Sequence, residues 1–478
     1  MENYGKYLLG GLFAITIFTR FFAIGADSLW LDEGLSIRLA AHPFDQIFAA
    51  AAPVDHNPPL FLYLLHFWLN IFGTGEIAAR SFSALCSIAA FPLIWLLARQ
   101  MFDKKIALLT LLIFAISPFQ VYYAQETRSY ALLNLLSLAS VFCFLEWLRS
   151  NRKIWQIALL AVNVLLVYSH IFGWFIVLFE NLWWLYLTLR KKPAPPLPNW
   201  LILQGLTVMT FLPYALHLMQ LVLQIQKGYW INPPEIKHFL ATFIQFGGSI
   251  SLGIFAIIFA LLGIGFGVRS PQKSSLKFLM FWMLTPILVP ITMSLVLRPF
   301  YLIRYPIAAA IPFYMLAAIG VARLPLRWRN AAIVLLIGLG GWSLFNYYSN
   351  DTRAPWRNVA TDIGELAKPD DLLLIGADFC KRDVFDYYGS SLPQRIIGIS
   401  RESDSLITAD LRQSLISTKT DIYFIASHFG TDEKKLVSEL SGIANLVKTT
   451  EYPHQDLFGR KQVFIRVYRF TAMQSPGK

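Results

Sequence analysis

Near the amino terminus the stretch ADSLWLDEGLSIRLA sets Asp32 and Glu33 side by side, between Trp30 and an amphipathic run. A carboxylate there can take a proton from an incoming hydroxyl or hold a cation. The same pair can open a helix, with Asp32 as its cap or first-turn acid. Further on, VDHNPPLF places Asp55, His56 and Asn57 before two prolines. The prolines stop a helix from running backward and fix the entry angle of the next one. His56 can bind a metal or a phosphate, or simply belong to a polar turn at a bilayer edge. SPFQVYYAQETRSYALL holds Gln125, Glu126, Arg128 and Tyr130 between two apolar runs. An arginine's planar fork matches phosphate oxygens; alternatively Arg128 and Glu126 pair with each other as an anchor. LRPFYLIRYPIAAAIPFYMLAA gathers Arg298, Tyr301, Arg304 and Tyr305, which read as snorkelling side chains at a helix end, with Arg304 and Tyr305 the candidates for binding a phosphate. His170, Glu180 and His217 are single polar residues in apolar surroundings and read as structural.

The elements that must position these residues are mostly membrane helices. The 478-residue chain is 56% hydrophobic, and apolar runs of about 20 residues recur along it. The first run lacks a small-residue cleavage site and reads as a span that is kept. Cys86, Cys143 and Cys380 form no disulfide framework and no metal spacing. KKPAPPLPNW is a short Pro-rich connector. Residues 351–478 carry 17 Lys/Arg and 17 Asp/Glu, so the net charge of +12 lies wholly in residues 1–350. A nucleic-acid binder would show a basic face on a soluble domain. Here the bases fall in short connections, which is a signal of topology.

About eleven transmembrane helices are expected, at roughly 7–25, 81–98, 106–120, 130–148, 154–170, 171–189, 200–217, 247–267, 278–297, 304–322 and 330–348. With the amino terminus in the cytoplasm, every cytoplasmic connection is basic: Arg99 to Lys105, Arg149 to Lys153, Arg190 to Lys192, Arg269 to Lys277, and Arg323 to Arg329. The opposite connections hold fewer bases, among them Arg38, Arg80, Lys227, Lys237 and Arg298. PPLFLYLLHFWLNIFG, residues 58–73, is short for a span and reads as a helix lying in the outer interface. The outer loop 26–80 then holds Asp27, Asp32, Glu33, Asp45, Asp55 and Glu76, half the acids of residues 1–350.

After residue 350 the pattern changes. LLLIGAD, TDIYFIAS, IANLVKT and QVFIRVY read as strands; WRNVATDIGELAK, KRDVFDYYG and DEKKLVSEL read as helices. The expectation is an all-α polytopic membrane bundle over 1–350 and a soluble, extracytoplasmic α/β domain over 351–478. DLLLIGADFCKRD has no Gly-x-Gly-x-x-Gly, so no nucleotide site is read there.

Taken in order, LWLDEGLS, DHNPPLFLYLL, AARSFSAL, ISPFQVYYAQETRSYAL, IRYPIAAAIPFYMLAA and APWRNVATDIGELAKPDDLLLI resemble the bacterial GT-C membrane glycosyltransferases. These are relatives of the protein O-mannosyltransferases and of the lipid A aminoarabinose transferase. The resemblance runs over residues 7–375. It implies a hexosyl or pentosyl transferase of the cell envelope, in the bacterial inner membrane. Such an enzyme takes its sugar from a polyprenyl phosphate at the outer face and gives it to a lipid, glycan or protein acceptor, with membrane lipids around it and no nucleic acid. In that family an acid of the first outer loop is essential, and Asp32 occupies its place with Glu33 beside it. His56 stands where the aminoarabinose transferase carries a metal-binding Glu. The resemblance assigns no cofactor but leaves room for a divalent metal ion at His56 and Asp55. Many relatives have an Asp where this chain has Tyr130, so Glu126 becomes a candidate second catalytic carboxylate.

The chemistry fits those residues. The leaving group is already a phosphate and needs charge stabilisation more than protonation. Arg128 and Arg304, with Tyr130 and Tyr305, are the candidates to bind it. Asp32 is the candidate base, and a single displacement with one base inverts the anomeric carbon. A competing reading is a transporter or flippase of lipid-linked sugars, but the two similar halves common in such proteins are not seen. A second is a membrane scaffold displaying the carboxy-terminal domain, against which the acid-rich first loop argues.

Overall fold

The computed structural model describes residues 2–224, 231–297, 299–399, 412–413, 415, 420–427 and 432–472. Lys227 and Arg298 lie outside them. Two compact units divide the chain: residues 1–24 with 39–346, and residues 25–38 with 347–478. The expected first outer loop is therefore split, because residues 25–38 pack with the carboxy-terminal part.

The first unit is helical: α1 (Glu2–Phe21), then, beyond α2 (Leu31–Ala40) of the other unit, α3 (Ile47–Ala51), α4 (Leu60–Phe72), α5 (Glu76–Met101), α6 (Lys104–Ile116), α7 (Pro118–Ala124), α8 (Tyr130–Ser150), α9 (Lys153–Ser169), α10 (Gly173–Leu189), α11 (Leu197–Gln224), α12 (Ile236–Gly247), α13 (Ile250–Val268), α14 (Lys273–Val296), α15 (Ala310–Ala322) and most of α16 (Leu326–Tyr348). Among the described residues, α5, α8, α11, α13, α14 and α16 are long and apolar enough to cross a membrane, and α6 with α7 would add a seventh span bent by 61°. Helices α4, α9, α10 and residues 307–322 are apolar but shorter. Length and composition thus support six or seven spans directly, where eleven were expected. The segment 58–73 is the 13-residue helix α4, as its length implied.

The break between α6 and α7 falls inside the expected span 106–120. Pro118 has no N–H to continue the ladder and pushes Ser117 into an extended conformation, φ −73° and ψ 117°. The carbonyls stranded at the end of α6 are satisfied by buried Arg20, which donates to Phe114 O and Ala115 O, each at 2.7 Å. Gln125 in turn donates from Nε2 to Arg20 O and Phe22 O at 3.1 and 2.8 Å, closing the end of α1. Helices α13 and α15 approach backbone to backbone: a Cβ on Gly320 would collide with Phe259 O.

The second unit is built on a five-stranded mixed sheet: β1 (Leu372–Ile375), β2 (Arg395–Gly398), β3 (Ile422–Ser427), β4 (Ala444–Gln455) and β5 (Lys461–Ala472), in the order β2-β1-β3-β5-β4. Parallel pairs join β1 to β2 and β3; β5 runs antiparallel to β3 and β4. Every residue of β1 and β3 is buried, as continuous apolar strands covered on both faces should be. The core includes Trp356, Val359 and Ile363 of α17 (Trp356–Leu366) and Leu436 and Leu440 of the helix Asp432–Ser441. KRDVFDYYG is helical as expected, a π-helical segment at Lys381–Phe385 running directly into the α-helical turn Asp386–Gly389.

Candidate active site

The candidate residues fall into two groups, one in each unit. In the second unit, Asp32 and Glu33 occupy the first turn of α2, where the helix dipole favours carboxylates. The helix-opening reading of the pair therefore holds, but it does not exhaust them. Glu33 is completely buried, and its Oε2 lies 3.4 Å from Arg353 Nε and accepts from Trp30 N at 3.4 Å. Asp32 is half-buried, and its carboxylate makes no hydrogen bond or ion pair with any described residue. A carboxylate that is reachable and uncommitted has the form a general base needs.

In the first unit, the turn before α4 meets the turn before α8. Arg128 Nη1 donates to Asp55 Oδ2 at 3.0 Å, and Asn57 donates from N and Nδ2 to Asp55 Oδ1 at 3.0 and 3.1 Å. The Arg128 and Asp55 side chains are only 10% and 8% exposed. Burial pushes the Asp55 carboxyl up; the Arg128 guanidinium and the Asn57 hydrogen bonds more than offset this and hold it below its ordinary value. Glu126 is buried too.

Tyr130, the first residue of α8, accepts from Arg304 Nε at 3.1 Å. The Arg304 guanidinium lies 5.5 Å from the Tyr305 ring centroid, and the Tyr305 ring stacks on Tyr130 at 6.3 Å. Tyr130 and Tyr305 together hold the Arg304 guanidinium in place. His170 joins the group, its ring 5.8 Å from Tyr130 and 5.3 Å from Tyr305. Its Nδ1 accepts from Phe172 N at 3.1 Å, so the neutral ring carries its proton on Nε2. That Nε2 is buried and has no hydrogen-bond partner among the described residues. A buried donor left unsatisfied costs about 1–3 kcal/mol, which singles His170 out as a residue of this cluster. Read from the sequence, His170 was placed with the structural residues. The available signal was its place in a tight turn at the same expected end of the bundle as residues 125–130.

The ligand set for a metal at Asp55 and His56 does not fit. Both Asp55 oxygens are engaged, and no group of three or more His, Cys, Asp or Glu that could hold a metal occurs among the described residues. His56 Nδ1 is buried with no hydrogen-bond partner among the described residues, and its carbonyl accepts from Tyr214 Oη at 3.1 Å. Asp55 acts here as the counter-ion of Arg128.

Residues 56–214, about a third of the chain, match the family model described as dolichyl-phosphate-mannose-protein mannosyltransferase. No curated protein is close enough in sequence to count as a match. Among solved structures, ArnT from Cupriavidus metallidurans in the apo state is similar with a TM-score of 0.63 at 13% identity, covering 98% of each chain. The same protein bound to undecaprenyl phosphate gives 0.59 at 13% identity, again over 98% of each chain. The oligosaccharyltransferase AglB from Archaeoglobus fulgidus, in complex with an inhibitory peptide and a dolichol-phosphate, gives 0.55 at 12% identity, over 97% of this chain and 74% of that one. At such identities the likeness is one of fold. The chain therefore has the fold of the GT-C membrane glycosyltransferases, the class its sequence motifs resemble.

Proposed function

We propose that this integral membrane protein is an inverting glycosyltransferase that moves a hexose or pentose from a polyprenyl phosphate to an acceptor hydroxyl at the outer face of the bacterial plasma membrane. The observation that carries the reading is Asp32. It is the uncommitted carboxylate of a pair whose other member, Glu33, is buried against Arg353. In the reaction the acceptor oxygen attacks the anomeric carbon while its proton passes to Asp32. The bond from that carbon to the phosphate oxygen breaks, and its electron pair leaves with the polyprenyl phosphate. The departing phosphate gains negative charge, and preformed cations lower the barrier by meeting that charge. Arg304 is the first candidate for this role, because Arg128 already directs Nη1 to Asp55. Tyr130 and Tyr305 orient Arg304, and His170 Nε2–H is a further donor beside them. Glu33 supports the orientation of Asp32, and Glu126 is held as a reserve carboxylate. Helix α1 and the shorter apolar helices α9, α10 and 307–322 complete the spans of an eleven-helix bundle in this reading, with the amino terminus in the cytoplasm.

The test is product analysis. Purified protein in proteoliposomes is mixed with a panel of radiolabelled undecaprenyl-phosphate sugars and membrane acceptors. The expected products are free undecaprenyl phosphate and an acceptor-linked sugar of opposite anomeric configuration. Intact lipid-linked sugar crossing the bilayer, with no new glycosidic bond, would contradict the reading and favour a flippase.

A further inference from the structure

Helix α2 has ten residues, too few to be stable alone in water. Residues 352–388 hold its first turns and the segment before it, and those contacts converge on the residues around Asp32. The Arg357 guanidinium donates to three consecutive carbonyls of the lead-in segment: Nη2 to Gly25 O at 3.1 Å, Nη1 to Ala26 O at 3.0 Å, and Nη2 to Asp27 O at 3.3 Å. Its backbone N–H donates to Ser28 Oγ at 3.2 Å. Thr352 donates from N and Oγ1 to Asp27 Oδ2 at 3.0 and 2.6 Å. Arg353, itself buried, lies between the carboxylates of Asp27 and Glu33, 3.5 and 3.4 Å away. Leu29 N donates to Tyr388 Oη at 2.6 Å, and Arg38 pairs with Asp383 at 2.8 Å. Leu31 packs against the core of the sheet domain. At Gly34 the helix sits so close to the chain that an added Cβ would collide with Asp383 O.

Residues 27, 28, 29, 31, 33, 34 and 38 are thus tied to the domain, while the side chain between them, Asp32, is tied to nothing described. Arginine is suited to this work, since its rigid fork can bind several carbonyls at once and it stays charged. We infer that the carboxy-terminal domain is the mount of the catalytic base, with Arg357 and Arg353 as positioning residues: Arg357 fixes the backbone leading into α2, and Arg353 holds Glu33 so that Asp32 alone is left free. The inference rests on the proposed role of Asp32. It also gives APWRNVATDIGELA a task, because Arg353 and Arg357 bracket APW at the point where that stretch meets residues 25–33.

The experiment uses full-length protein in proteoliposomes and the undecaprenyl-phosphate sugar with the highest wild-type transfer rate. Asp32→Asn, Arg357→Met, Arg357→Lys and the double variant Asp32→Asn/Arg357→Met are compared by kcat and by donor KM. Misplacing a catalytic group by about 1 Å costs roughly 100-fold in rate. Arg357→Met is therefore expected to lower kcat by roughly that factor with donor KM within about twofold, and Arg357→Lys, which keeps the charge but not the fork, to recover only part of it. Adding Arg357→Met to Asp32→Asn should cause no further loss, because both act through one group. Wild-type kcat in Arg357→Met, or an equal loss in the Asp32→Asn background, overturns the positioning role. Wild-type rate in Asp32→Asn alone instead overturns the assignment of the base. If Arg357→Met does not accumulate, Tyr388→Phe, which removes the oxygen that accepts Leu29 N–H, is judged by the same criteria.

Discussion

Replacing Asp55 by asparagine keeps the shape of the turn before α4 and removes the charge that faces Arg128. At 3.0 Å and an effective dielectric near 20, the attraction between the two groups is about 5 kcal/mol before desolvation. Breaking a buried pair by removing one partner generally costs about 3–5 kcal/mol, since the other charge stays buried alone. The new amide would still accept from the Asn57 N–H groups through its oxygen, so the lower end of that range, about 3 kcal/mol, is expected. The assay is thermal unfolding of the purified protein in detergent for Asp55→Asn, for Arg128→Met and for the two combined. The double variant should be more stable than Asp55→Asn, because it leaves no orphaned charge. The sign of the pH dependence follows from the depressed Asp55 pKa. Its contribution is fully present above the ordinary carboxylate value of 3.8 and is lost as pH falls through the lower folded value. Wild-type stability should therefore fall below about pH 4 by more than that of Asp55→Asn. Unchanged unfolding in Asp55→Asn, or a double variant worse than both singles combined, would refute the buried-pair reasoning.

Arg304→Ala should weaken binding of undecaprenyl phosphate by about 1.5–3 kcal/mol, roughly 10- to 100-fold, measured by quenching of intrinsic fluorescence. Wild-type affinity would make Arg304 only a partner of Tyr130 and Tyr305. Gly34→Ala should lower the unfolding temperature, because its Cβ meets the Asp383 backbone and overpacking of this kind costs about 1–3 kcal/mol. A stable Gly34→Ala protein with full transfer activity would contradict the close docking of α2.

Much of this arrangement was legible in the sequence because it depends on local pattern. Apolar length marked α5, α8, α13, α14 and α16, and the shortness of PPLFLYLLHFWLNIFG kept α4 apart from the spans. The continuous apolar runs LLLI and IYFIAS became the buried central strands, while RIIG was missed as β2 because four residues at a sheet edge carry little periodicity. Pro118 was visible, but the helix was read through it, since the apolar run alone does not show that Arg20 would take over the stranded carbonyls. The attachment of α2 was not legible. Nothing local to LWLDEGLS says that Arg353, more than 300 residues later, is the partner of Glu33. The resemblance made Asp32 the candidate base and Glu33 its neighbour, but the different partners of the two adjacent acids were not legible in the sequence. His170 was undervalued because a lone histidine in an apolar run gives no hint that Phe172 N–H fixes its tautomer.

In the proposed reaction Asp32 accepts the proton of the attacking hydroxyl. Asp32→Asn keeps the shape of the first turn of α2, and the wild-type carboxylate has no described partner to lose. The measurement is the single-turnover rate of sugar transfer from the undecaprenyl-phosphate donor, alongside donor affinity and unfolding temperature of the same preparation. Wild-type affinity and stability are expected, with transfer slowed about 100- to 10,000-fold, the usual cost of losing a general base. Transfer by Asp32→Asn at near wild-type rate would contradict this role and leave Glu126 as the carboxylate to test.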